Sequence, residues 1–264
     1  MPRKVLRSPR SARKERRKTK MRVILYSVLI VAVFGGIAYA FSRPEFRIQK
    51  IEVSGTARVT EESIVASVER QISGAYLGFI PKSHTLLYPK SRVRESLLQE
   101  FPAFSGISVS LKNLAALRVS VREREPYALW CSETCYLMDE TGFVFGEAEA
   151  GTENLYYRFE QQATTTPIGT TVLEQERLLD LMSFLKQLEK MDLHPERIVL
   201  GEEQEVEFIL QSGVRLLVNE KEYDRSRRNL QALLAQNILP REGGKLTVTY
   251  VDLRYGNKIY FKPR

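Results

Sequence analysis

The hydrophobic positions of this chain follow three different rules in three successive regions. From Val23 to Ser42, VILYSVLIVAVFGGIAYAFS, there is no charged residue and no polar face. Twenty residues at about 1.5 Å rise cover about 30 Å, the hydrocarbon thickness of a bilayer. Hydrocarbon offers no partner to a backbone N–H or C=O, so the run predicts a transmembrane helix over residues 23–42. Tyr26 and Tyr39 lie near its ends, where amphipathic rings favour the interface. A cleaved leader is the competing reading, because Ala38, Tyr39 and Ala40 have the spacing of a cleavage site. Leader cores are usually only about 7–15 residues long, which favours the anchor.

Between residues 43 and 126 the apolar positions come in short periodic groups. Pro44 breaks the helix, and FRIQKIEVSG reads as a strand closed by Gly55. TEESIVASVERQI reads as a helix: Ile64, Val65, Val68 and Ile72 share a face, Thr60 is the N-cap, and Glu61 and Glu62 favour the helix dipole. A loop rich in Gly and Pro leads to a second helix over about Lys90 to Glu100, with Val93, Leu97 and Leu98 inward. Two alternating strands follow, carried by Ile107, Val109 and Leu111 and by Leu117, Val119 and Val121. The order strand, helix, helix, strand, strand predicts a two-layer domain with one core.

From Tyr127 to Arg264 short strands dominate. YALWC, CYLMD and GFVFG form a meander. VLEQERLLDLMSFLKQLEKM is an amphipathic helix with Leu178, Leu181, Met182, Leu185 and Leu188 on one face. RIVLG, VEFIL and VRLLVN read as strands. A second helix is capped by Asn219 and Glu222, with Tyr223, Leu230, Leu233 and Leu234 inward. The closing strands turn at Gly256–Asn257. The fold class is α+β: an N-terminal transmembrane helix, a βααββ domain and a C-terminal domain with a mostly antiparallel sheet.

Charge sharpens this picture. The chain has 264 residues and a formal net charge of +8, but residues 1–22 hold eleven Lys or Arg against one acid, Glu15. The other 242 residues hold 29 basic and 31 acidic ones. The positive excess is therefore confined to a tail beside the apolar run, and the body has no surplus charge for nucleic acid. Basic flanks stay on the cytoplasmic side, so the tail is cytoplasmic and everything from about Arg43 lies outside.

Candidate chemistry is sparse. The two cysteines, Cys131 and Cys135, are separated by three residues between strand-like segments. A hairpin places them opposite each other within disulfide reach, and an extracytoplasmic location permits oxidation. Two free thiols are the alternative; zinc would need more ligands than these offer. His84 and His194 read as surface residues, Asp139 and Glu140 as turn acids, and REREP at 122–126 as charge facing water. Neither G-x-S-x-G nor G-x-x-x-x-G-K occurs. The reading is therefore of a protein that is not an enzyme, with no cofactor, no metal and no small-molecule substrate.

Three strings carry a resemblance. FRIQKIEVSGTARVTEESI resembles the opening of a POTRA domain. RVSVREREPYALW followed by YLMDETGFVF resembles the exit from that domain, and VDLRYGNKIYFK resembles a C-terminal signature. With the basic tail and single span, the chain resembles the FtsQ/DivIB family of bacterial cell-division proteins. That resemblance implies a bitopic scaffold at the division septum in the cell (inner) membrane. It implies FtsB- and FtsL-like partners, added as a strand beside the last strand of the C-terminal sheet. Carried onto this sequence, the partner-binding positions are Arg254, Tyr255 and Gly256, with Lys258, Ile259 and Tyr260 supplying the edge. An ordinary hairpin with Asp252 and Arg254 as a local surface pair is the plain alternative for that segment. A POTRA-bearing adaptor for secretion or polypeptide transport is the alternative for the whole chain.

Overall fold

The computed structural model describes residues 9–76, 78, 80–113, 115–161, 166–202, 204–243 and 245–264, without the side chains of residues 9–17, 34, 37–42, 44 and 153. Helix α1 (Pro9–Ser42) runs through both the basic tail and the apolar run, and a short turn, Pro44–Phe46, follows it. Among the described residues no helix is long and apolar enough to cross a membrane. Within the expected span over 23–42 the side chains of residues 34 and 37–42 are not described.

The chain divides into two compact units, Met1–Leu97 with Ile107–Val121, and Leu98–Gly106 with Arg122–Arg264. After α1 come β1 (Lys50–Ser54), α2 (Glu61–Ile72), a small hairpin of β2 (Ala75–Tyr76) and β3 (Ile80–Pro81), α3 (Lys90–Glu100), β4 (Phe104–Asn113) and β5 (Ala116–Glu123). The sheet order is β1–β5–β4, with β1 parallel to β5. Ile64, Val68, Ile72, Val93 and Leu97 from the helices are buried, as are Ile107, Val109, Leu117, Val119 and Val121 from the strands. These are periodic positions of the sequence.

His84 is not a surface residue. The Ile48 amide donates to the Ser83 carbonyl at 2.8 Å and the Thr85 amide to the Phe46 carbonyl at 2.9 Å, so the loop continues the sheet beyond β1. The His84 ring lies against Phe46, with centroids 6.1 Å apart, and is 3% exposed. Burial first, and the charge of Arg47 second, lower its pKa.

The second unit contains β6 (Ala128–Cys131), β7 (Cys135–Met138), β8 (Val144–Glu147), β9 (Arg158–Glu160), α4 (Gln175–Glu189), β10 (Pro195–Leu200), β11 (Glu205–Leu210), β12 (Arg215–Asn219), α5 (Tyr223–Ala235), β13 (Arg241–Glu242), β14 (Lys245–Leu246), β15 (Val248–Tyr255) and β16 (Lys258–Pro263). Nine of these strands form one sheet in the order β16–β15–β12–β11–β10–β9–β6–β7–β8. Five of its eight pairings are antiparallel. The other three, β6–β9, β9–β10 and β12–β15, are parallel. Strand β9 joins the meander to the rest of the sheet. It has three residues with only Phe159 fully buried, too short a run for alternation to announce it.

Helices α4 and α5 supply Leu178, Leu181, Met182, Phe184, Leu185, Leu188, Leu230 and Leu233 to the core that the strands complete. Phe184 packs on Phe208 and Tyr223 with ring centroids 5.1 and 4.7 Å away. Asn219 caps the short turn before α5 by accepting from the Lys221 amide. In the β6–β7 ladder Cys131 stands opposite Cys135, the two Cα atoms are 4.1 Å apart, and a disulfide joins them.

Candidate functional site

A sheet of nine strands has two outer edges, and this one treats them differently. At β8 the chain covers the start of its own edge. The Val144 amide donates to the Thr170 carbonyl at 2.9 Å, and the Gly169 and Val172 amides donate to Val144 and Gly142 at 2.8 and 3.0 Å. Gly142 has φ +77°, and a Cβ there would strike the Leu173 carbonyl, so glycine is what lets the covering segment lie so close. At β16 no described residue pairs with the outer side.

The register of β16 determines what that side offers. The Arg264 amide donates inward to the Thr247 carbonyl at 3.0 Å. Backbone groups alternate sides along a strand. Lys262 and Tyr260 therefore bond inward like Arg264, and Phe261 and Ile259 turn their N–H and C=O outward. Pro263 also faces outward but has no N–H to offer, and sheets tolerate proline at such edges. The bare edge presents two outward donors, at Ile259 and Phe261, and three outward carbonyls. Side chains alternate the opposite way in burial. Ile259 and Phe261 pack against the core, whereas Lys258, Tyr260 and Lys262 are exposed.

Strand β15 carries an extra residue against β16 at two places, between Val248 and Tyr250 and between Asp252 and Tyr255. The second bulge leaves the Arg254 amide without its ladder partner, and Asp252 Oδ1 accepts from it at 3.1 Å. The same carboxylate takes a two-pronged contact from the Arg254 guanidinium, Nε at 2.9 Å and Nη2 at 2.7 Å. Arg254 Nη1 reaches Glu205 Oε2 at 2.6 Å. The hydrogen bond to Asp252 is the main cause that pushes the Arg254 pKa up. Burial alone would raise the pKa of Asp252, but the Arg254 bonds outweigh it and lower it. The Asp252–Arg254 pair offered as the plain alternative is thus present, with Asp252 buried at 7% exposed and Arg254 half-buried. Arg254 spends its charge inside the chain.

Beyond the bulge, Gly256 has φ +63° and opens a two-residue turn. Its carbonyl accepts from Asn229 Nδ2 of α5 at 2.9 Å, which pins the turn to the helix. Tyr255 and Tyr260 meet edge to face with centroids 5.6 Å apart, 57% and 51% exposed. The Arg254 guanidinium lies 5.6 Å from the Tyr255 ring. The structure therefore brings Arg254, Tyr255, Gly256, Lys258 and Tyr260 to one corner of the sheet, with Ile259 directed to the core. Sequence reading missed Glu205 and Asn229, which lie 49 and 27 residues from their partners and carry no local signal.

A second charged cluster also departs from the sequence expectation. REREP does not simply face water, because Arg124 pairs with Asp139 in a site where the two side chains are 19% and 7% exposed. Arg124 donates from Nε to the Pro102 carbonyl at 3.1 Å and lies 4.1 Å from the centre of the Phe143 ring. Asp139 accepts from the Thr141 hydroxyl at 2.6 Å and from the Thr141 and Phe143 amides at 2.9 and 3.1 Å. Burial opposes ionisation of Asp139, and these bonds overcome it, leaving its pKa below the ordinary value of 3.8. His194 lies 3.2 Å from Asp192 on the surface. Among the described residues no group of three or more His, Cys, Asp or Glu is placed to hold a metal.

The second unit is thus an α+β body with one edge covered at its start by its own chain and the other, among the described residues, open beside an aromatic corner. Residues 128–254, just under half of the chain, match the family described as "Cell division protein FtsQ/DivIB, C-terminal", and this part of the chain is similar to that domain. The "Cell division protein FtsQ" of Bartonella bacilliformis is 24% identical over 225 residues, 83% of this chain and 64% of that protein. The chain thus spans just under two thirds of that relative's length. The family match ends at Arg254, so the rest of the corner and all of β16 lie beyond it.

Proposed function

We propose that this chain is a single-span membrane scaffold of the bacterial division machinery, with its bulk outside the cytoplasm at the septum. Its FtsB- or FtsL-like partner docks as a further strand on β16. The observation that carries this reading is the asymmetry of the sheet: residues 169–172 cover the start of β8 and the turn before it, whereas no described residue pairs with the outer side of β16. Strand addition gives a row of backbone hydrogen bonds, with alternate side chains setting selectivity. Tyr255 and Tyr260 form the aromatic anchor beside that row, and Arg254 is a positioning residue that holds Tyr255 rather than a contact for a partner carboxylate. The βααββ order of the first unit supports a POTRA domain over 43–126. The run at 23–42 supports the membrane anchor, with residues 1–22 cytoplasmic.

The test is capture of FtsB- and FtsL-like division proteins by the full chain and two variants. Ile259→Pro removes an outward N–H without touching an inward bond, and Tyr255→Ala removes the anchor. Capture should fall about tenfold or more in each, with both variants still folded. Undiminished capture by a folded Ile259→Pro chain would falsify strand addition.

A further inference from the structure

From Leu253 to Arg264 the chain carries four basic residues and no acid. Two of the four are occupied: Arg254 by Asp252 and Glu205, and Arg264 by the Ser212 carbonyl at 2.9 Å. The other two, Lys258 and Lys262, are exposed and form no ion pair with a described residue. They flank Tyr260 on one face of β16 by the two-residue period of a strand. On the opposite face Ile259 and Phe261 are half-buried against the core.

We infer that this edge selects a partner strand whose acidic residues stand opposite Lys258 and Lys262, with an apolar or aromatic residue between them opposite Tyr260. This rests on the strand-addition reading above and names the chemistry of the partner. The intervening side chains of that partner are apolar, because they extend the core beside Ile259 and Phe261. The same stripe disfavours a second copy of this chain. Two β16 strands paired antiparallel about Tyr260 would set each Lys258 directly against the other copy's Lys262, and like charges directly opposite are destabilising. Pro263 adds a missing donor at the outward side. Lysine and proline at an edge are a common defence against self-pairing. Here the aromatic pair between and beside the lysines makes the defended edge usable by a strand of opposite charge.

The test uses the full chain and labelled peptides with the core Glu-Val-Tyr-Val-Glu, its form with Gln for both Glu, and its form with Lys for both Glu. At low salt the acidic peptide should bind about tenfold tighter than the Gln form, and the Lys form weakest. The K258E/K262E variant should invert that order, and raised salt should flatten it. Ile259→Pro should weaken all three peptides alike. Equal affinity of the wild type for all three, with Ile259→Pro still weakening them, overturns the charge selection and leaves strand addition standing. Undiminished binding by Ile259→Pro overturns both. Failure of the acidic peptide to bind the wild type overturns the inference, as does peptide capture that falls with rising protein concentration, since a second copy would then hold the edge.

Discussion

Asp252 and Arg254 show how little a residue's type says about its task. Arg254 was expected at the partner interface, with a local surface pair to Asp252 as the plain alternative, and the two meet at a β-bulge where the carboxylate satisfies an amide that the ladder abandons. Removing that carboxylate leaves the amide without a partner and the guanidinium with only Glu205. Asp252→Ala should therefore destabilise the fold by about 2–3 kcal/mol in denaturant unfolding, while Tyr255→Ala leaves stability within about 0.5 kcal/mol. The acid limb follows from the same bonds. Asp139 and Asp252 have folded pKa values below the ordinary 3.8. A depressed carboxylate stabilises the fold above its unfolded pKa and loses that contribution as pH falls through the folded value. Melting temperature should be flat from pH 7 to about 5 and drop below about pH 4, with a shallower drop in Asp139→Asn. None of this was legible in the sequence. Arg124 and Asp139 lie 15 residues apart on either side of a hairpin, and spacing alone does not reveal that they meet.

At the scale of elements the sequence was more informative. The faces of α2, α3, α4 and α5 were readable because a buried helix face repeats every 3.6 residues, and the alternating strands because a half-buried strand repeats every two. Strand β9 was unreadable for the same reason: three residues give no period, and parallel neighbours on both sides leave no hairpin turn as a signal. The direction of the edge donors at Ile259 and Phe261 depends on a register that only the sheet reveals. The Cys131–Cys135 link closes a very short loop in a ladder that is already paired. Reduction should lower stability by only about 2 kcal/mol and leave partner capture intact, measured by denaturant unfolding and pull-down with and without reductant.

At the scale of the whole molecule, residues 98–106 group with 122–264 in the second unit. The physical reason is Arg124, whose amide and Nε bond the Ala103 and Pro102 carbonyls. The proposed anchor makes its own prediction. The full chain should stay with membranes through an alkaline wash, and a chain beginning at Arg43 should be released, as fractionation and immunoblotting would show. The central claim is that β16 is an edge completed by a partner, and residue-resolved hydrogen exchange tests it most directly. In the free chain the Tyr260 and Lys262 amides should exchange slowly and those of Ile259 and Phe261 fast. Adding the captured partner should slow Ile259 and Phe261 selectively. A bound partner that leaves those two amides exchanging as fast as before would contradict the account.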